Sequence, residues 1–155
     1  MSKQAVRRSL DLKAPVFDEG AVARATAALE AMSDTFQDWL NADVIRLQAA
    51  RLAAEAANWS DEALEQVMAI AHDLKGLGGS YDFPIVTQIA ASLCRLIETP
   101  AGKAAARADI TLFGAHVDAL RAAIRNGIKN DAHPVGRALL SALEARVEAL
   151  GVAPR

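Results

Sequence analysis

The stretch AHDLKGLGGS, residues 71–80, holds residues whose types are hard to explain by packing. It places His72 three positions before Lys75, with Gly76, Gly78 and Gly79 crowded behind them. An exposed neutral imidazole is a good nucleophile toward an acyl phosphate, and an ammonium group one helical turn away offsets the charge of the phosphoryl group so acquired. Glycine beside such a pair removes side-chain bulk, so the aspartate pocket of another protein could come close enough for in-line transfer.

That chemistry needs a helix to hold it. At roughly 100° per residue, His72, Lys75, Gly76 and Gly79 fall within about a quarter of a helix circumference, turned away from the centre of the Leu64, Val67 and Leu74 stripe. Each helical glycine costs about 1 kcal/mol relative to alanine. A plainer alternative is that the helix ends near Lys75, with the glycines forming its C-cap and the following turn. Plainer still, a lone helical histidine is usually a surface residue with no task, and it is the lysine and glycines that argue against that here.

The rest of the chain supplies elements of one kind. AVARATAALEAM from Ala21 suggests a short helix ending at Met32, with Ser33 or Asp34 capping a new one. Phe36, Trp39, Leu40, Val44, Leu47 and Leu52 lie close to helical spacing up to Asn58, and NWSD supplies an exit and the next N-cap at Ser60 or Asp61. The helix bearing His72 then runs from Asp61 to about Ser80, with acidic residues in its first turn and Leu64, Val67, Met68, Ala71 and Leu74 on one face.

Pro84 is placed to open a helix with Ile85, Ile89, Leu93, Leu96 and Ile97 as its stripe, stopped by Pro100 and Gly102. Ile110, Phe113, Val117, Leu120 and Ile124 continue the periodicity, and Pro134 opens a last helix closed by Gly151. No strand pattern competes. The expected fold is all-α, an antiparallel up-and-down four-helix bundle with one or two accessory helices. Residues 1–19 read as a poorly ordered lead, 20–151 as the single domain, and about 36–129 as its core.

Composition narrows the function. A chain of 155 residues with 52% hydrophobic and 23% charged residues is long enough for a real core without disulfides or metals. A net charge of -2 gives no basic footprint for a nucleic-acid partner. The single cysteine, Cys94, forms no internal disulfide and reads as a buried thiol in a reducing cytoplasm. No apolar run approaches the ~20 residues needed to span a bilayer, and the N-terminal segment lacks a signal-peptide core, so a cytoplasmic protein is expected; a monomer is a separate expectation.

His72, Lys75 and Gly76 match the His, two residues, Lys, Gly signature of histidine-phosphotransfer domains, with Gly79 and Ser80 continuing the similarity. The sequence resembles that family from about Phe36 to Lys129. The resemblance implies that His72 accepts phosphate from a receiver-domain aspartate or a sensor histidine kinase and returns it to another receiver. It implies no bound cofactor, because the response-regulator receiver supplies the magnesium, and no ATP-dependent kinase activity of its own. Asp82 falls where many members carry glycine, and Cys94 near where some place a polar side chain that supports the active face. Asp82 is suited to capping the Pro84 helix instead.

Three other readings compete. A sensor-kinase dimerisation domain also carries a helical histidine followed by an acidic residue, as His72 and Asp73 do, but the residues after Glu98 show no nucleotide-binding motif. A metal-binding bundle lacks its ligands, since His72, His116 and His133 form no Glu-x-x-His pair. A structural or adaptor bundle without phosphotransfer explains every helix except the one that bears His72.

Overall fold

The computed structural model describes residues 18–151; most of the N-terminal lead therefore lies outside the described residues. Six helices follow one another: α1 Glu19–Ala56, α2 Asp61–Ser80, α3 Pro84–Glu98, α4 Pro100–Ala108, α5 Ile110–Arg125 and α6 Pro134–Ala149. Among the described residues there is no strand. The chain falls into two compact units, residues 1–34 and 35–155. Of the first, the described part is helical from Glu19, with Arg24 paired to Asp18.

The structure corrects the sequence reading at α1, where the break expected at Ser33 or Asp34 is absent and helix is assigned from Glu19 through to Ala56. Serine and aspartate are only modestly unfavourable inside a helix, and no proline or glycine lies nearby to enforce a stop.

In the second unit the core is built as the apolar spacing predicts. Leu40, Val44 and Leu47 of α1, Leu64, Val67, Ala71 and Leu74 of α2, and Ile85, Ile89, Leu93, Leu96 and Ile97 of α3 are all buried. They meet Phe113, Val117, Leu120 and Ile124 of α5 and Leu140, Leu143 and Val147 of α6. The last helix thus caps the core, as its apolar positions suggest. Trp39 and Leu52 depart from the expected stripe and remain half exposed, at 51% and 52%.

Two turns are also corrected. Pro100 ends α3 but opens α4, because Thr99 caps the new helix by accepting the Gly102 N–H at 3.0 Å. Gly102 therefore sits inside a helix; a Cβ there would meet the Leu96 carbonyl oxygen at 2.5 Å, so only glycine lets α4 fold back against the end of α3. Asp82 does not cap α3: Phe83 holds the cap position, without a side-chain bond. Asp82 instead takes a φ of 59°, the left-handed turn conformation that favours glycine and that aspartate tolerates, and pairs with Lys129 at 3.0 Å.

Candidate functional site

The helix carrying His72 continues past Lys75 to Ser80, so the glycines are not its C-cap; Tyr81 occupies that position. Ser60 starts the helix by accepting the Ala63 N–H at 3.3 Å, and Asp61 and Glu62 fill the first turn. Arg107 donates to Asp61 at 2.6 Å and to the Trp59 carbonyl at 2.9 Å, which ties this end of α2 to α4. The Arg107 hydrogen bond, helped by Lys103, holds the Asp61 carboxyl below its usual range.

With the helix intact, the pattern of burial follows the sequence projection. Ala71, Leu74 and Gly78 are buried, whereas His72, Lys75, Gly76 and Gly79 are exposed. All four predicted site residues therefore share one solvent-facing surface. Neither the His72 nor the Lys75 side chain has a hydrogen bond or ion pair among the described residues. His72, Asp73, Gly76 and Leu77 line an open cleft whose other wall is Asp43 and Arg46 of α1. Arg46 reaches Asp43 at 3.3 Å and is otherwise turned to solvent.

The glycines separate into two kinds. A Cβ on Gly76 would meet nothing within 4 Å, and one on Gly79 would only graze the Thr87 hydroxyl at 3.9 Å. At Gly78 the same atom would lie 2.6 Å from the Thr87 nitrogen and hydroxyl and 2.9 Å from the Phe83 carbonyl oxygen. Gly76 and Gly79 leave the surface bare, while Gly78 lets α3 approach the backbone of α2.

Sequence reasoning missed the residues that border this surface. Thr87 of α3 accepts the Gly79 N–H at 3.0 Å and donates its hydroxyl hydrogen to the Lys75 carbonyl at 2.8 Å. At the end of α2, Tyr81 stacks on Phe36 at 4.9 Å and leans on Trp39 at 5.6 Å. The sequence signals were present, a threonine one turn into the Pro84 helix and an aromatic pair at i, i+3, but neither is distinctive without the fold. Cys94 is buried, and burial pushes its thiol above the usual value, with the Lys75 ammonium pulling weakly the other way.

The arrangement can present an unencumbered imidazole nitrogen to an electrophile carried by another protein, with a cation one turn along the helix. Among the described residues no cluster of three or more His, Cys, Asp or Glu side chains could hold a metal ion, and no helix is long and apolar enough to cross a membrane.

Comparison with curated proteins and with solved structures gives no significant match. The profile of the Hpt domain matches residues 31–151, a span that contains the whole of α2 and its surroundings. By that match, over most of its length, the chain belongs to the Hpt family, the helical histidine-phosphotransfer domains of two-component phosphorelays.

Proposed function

We propose that His72 is the residue that carries phosphate, accepting a phosphoryl group from a receiver-domain aspartate and passing it to another. An imidazole nitrogen attacks phosphorus, the N–P bond forms, the bond to the aspartyl oxygen breaks, and the carboxylate leaves; the return step reverses this. Lys75 offsets the phosphoryl charge, and Gly76 and Gly79 leave room for the receiver, which brings its own magnesium ion. The chain supplies no nucleotide chemistry on this reading and acts as a carrier, with a response regulator, a sensor histidine kinase or both as partners.

The observation that carries the reading is the shared exposure of His72, Lys75, Gly76 and Gly79 on one face of a helix that lies within the Hpt match. Its test is direct. Incubated with a phosphorylated response regulator, the protein is expected to take up acid-labile, base-stable label, and His72→Ala is expected to take up none. A wild-type protein that remains unlabelled across a panel of regulators leaves only a structural or adaptor role.

A further inference from the structure

The segment that presents Lys75 is intrinsically weak helix. Between Lys75 and Gly79 lie Gly76, Leu77 and Gly78, and each of the three glycines in these four positions forgoes helix propensity relative to alanine. Such a stretch is free to rewind toward the C-cap geometry that glycine also favours. It nevertheless stays helical to Ser80.

What holds it comes from the neighbouring helix. The Thr87 hydroxyl engages both ends of one backbone rung, taking the Gly79 N–H at 3.0 Å and giving its hydrogen to the Lys75 carbonyl at 2.8 Å. The residue can reach that far in only because Gly78 has no Cβ. Below it, Phe83 N–H donates to the Gly78 carbonyl at 2.8 Å, which ties the start of α3 to the same turn. The two residues Thr87 grips are both members of the site surface, and one of them bears the cation.

We infer that Thr87 is a positioning residue for phosphotransfer: its hydroxyl braces the glycine-rich turn of α2 and so keeps the Lys75 ammonium in register with His72. The inference rests on the phosphotransfer reading given above. In this role Thr87 acts through the backbone of Lys75. Removing the hydroxyl while keeping the shape leaves the Lys75 carbonyl and the Gly79 amide to find each other or water, and the lysine loses its fixed starting point.

The experiment measures transfer from a phosphorylated receiver at several receiver concentrations for wild type, Thr87→Val, Thr87→Ser, Lys75→Ala and the Val–Ala double variant, with circular dichroism on each. Thr87→Val is expected to lower the maximal rate roughly tenfold at an unchanged half-saturating concentration, since a misplaced group costs rate more than docking. Thr87→Ser restores it. Because Thr87 acts through Lys75, the valine should have little further effect once Lys75 is alanine.

A Thr87→Val protein that transfers at the wild-type rate, a serine variant that does not recover, or fully additive losses in the double variant each overturn the inference. Should the valine variant fail to fold, the serine variant decides alone, and slowed transfer by it is fatal to the idea. A wild-type protein that takes no label sinks the phosphotransfer reading itself, a result distinct from all of these.

Discussion

The His72 side chain stands on the exposed face of α2 with no hydrogen-bond partner among the described residues, whereas His116 on α5 is fully buried with both ring nitrogens engaged. Its Nδ1 lies 2.8 Å from the Leu112 carbonyl oxygen, which can only accept, so that nitrogen carries the proton. The Nε2 lone pair then accepts from the Ser92 hydroxyl at 2.9 Å. Burial pushes the His116 pKa down, and the nearby Arg95 guanidinium adds to that. One imidazole stands in open space, while the other has spent one nitrogen on its own helix and the second on holding α5 to α3. The exposed His133 differs again, its Nδ1 accepting the Val135 N–H at the start of α6. The difference teaches that in this chain the residue type says little about role, and the environment decides it.

The sharpest way to break this comparison is to exchange losses. His72→Gln is expected to abolish labelling completely while leaving the thermal midpoint near wild type, because the side chain makes no contact that the fold depends on. His116→Leu is expected to keep labelling but to lower unfolding free energy by about 1–3 kcal/mol, since the Ser92 hydroxyl is left buried without its acceptor. Denaturant titration and label uptake on the same preparations check both. A folded His116→Leu protein that no longer accepts phosphate would show that the buried histidine reaches the chemistry after all.

The same contrast between open and filled space recurs two residues apart on α2. Gly78→Ala drives a methyl into the Thr87 nitrogen and the Phe83 carbonyl, and is expected to destabilise by about 1–3 kcal/mol. Gly76→Ala meets nothing and should stabilise by up to about 1 kcal/mol, through helix propensity alone. Yet it adds bulk beside His72, so transfer should slow as stability rises. Thermal melts together with transfer rates separate the cases, and a Gly76→Ala protein that is both more stable and equally fast would remove Gly76 from the docking surface.

Much of this was legible in the sequence because two periodic signals coincide. The apolar spacing of Leu64, Val67, Ala71 and Leu74 fixes which side of α2 is buried, and by difference sets His72, Lys75, Gly76 and Gly79 outward. What was not legible depends on neighbours distant along the chain. Gly78 falls outside the exposed arc in the sequence projection, but only the approach of Thr87 and Phe83 shows that it serves packing. Asp82 looked like a helix cap because aspartate is a good one, but the chain needs a left-handed turn there, with Lys129 across from it. Ser33 and Asp34 offered a cap that α1 did not use, since capping residues permit a helix end without enforcing one. Pro100 signals a stop in the sequence and is also a start, an ambiguity inherent to a residue favoured in the first turn and barred from the interior.

The smallest effect expected from the comparison is the pH response of the buried member, for it involves one titrating group. The His116 pKa in the folded protein lies below the ordinary value of 6.5, so the unfolded chain binds the extra proton more readily than the native one. The contribution of neutral His116 is therefore fully present above that value and is lost progressively as pH falls through 6.5 toward the depressed folded value. Asp61 and Asp109 have the same sign but act lower, since their carboxyls are held below the ordinary 3.8 by Arg107 and by the Leu112 amide with Arg146. Denaturant midpoints between neutral pH and the carboxylate range should thus decline gently in wild type. In His116→Leu, where the lost contact lowers stability at every pH, the curve should be flatter over this range. If the variant keeps the wild-type slope, His116 is not the group whose protonation opposes folding.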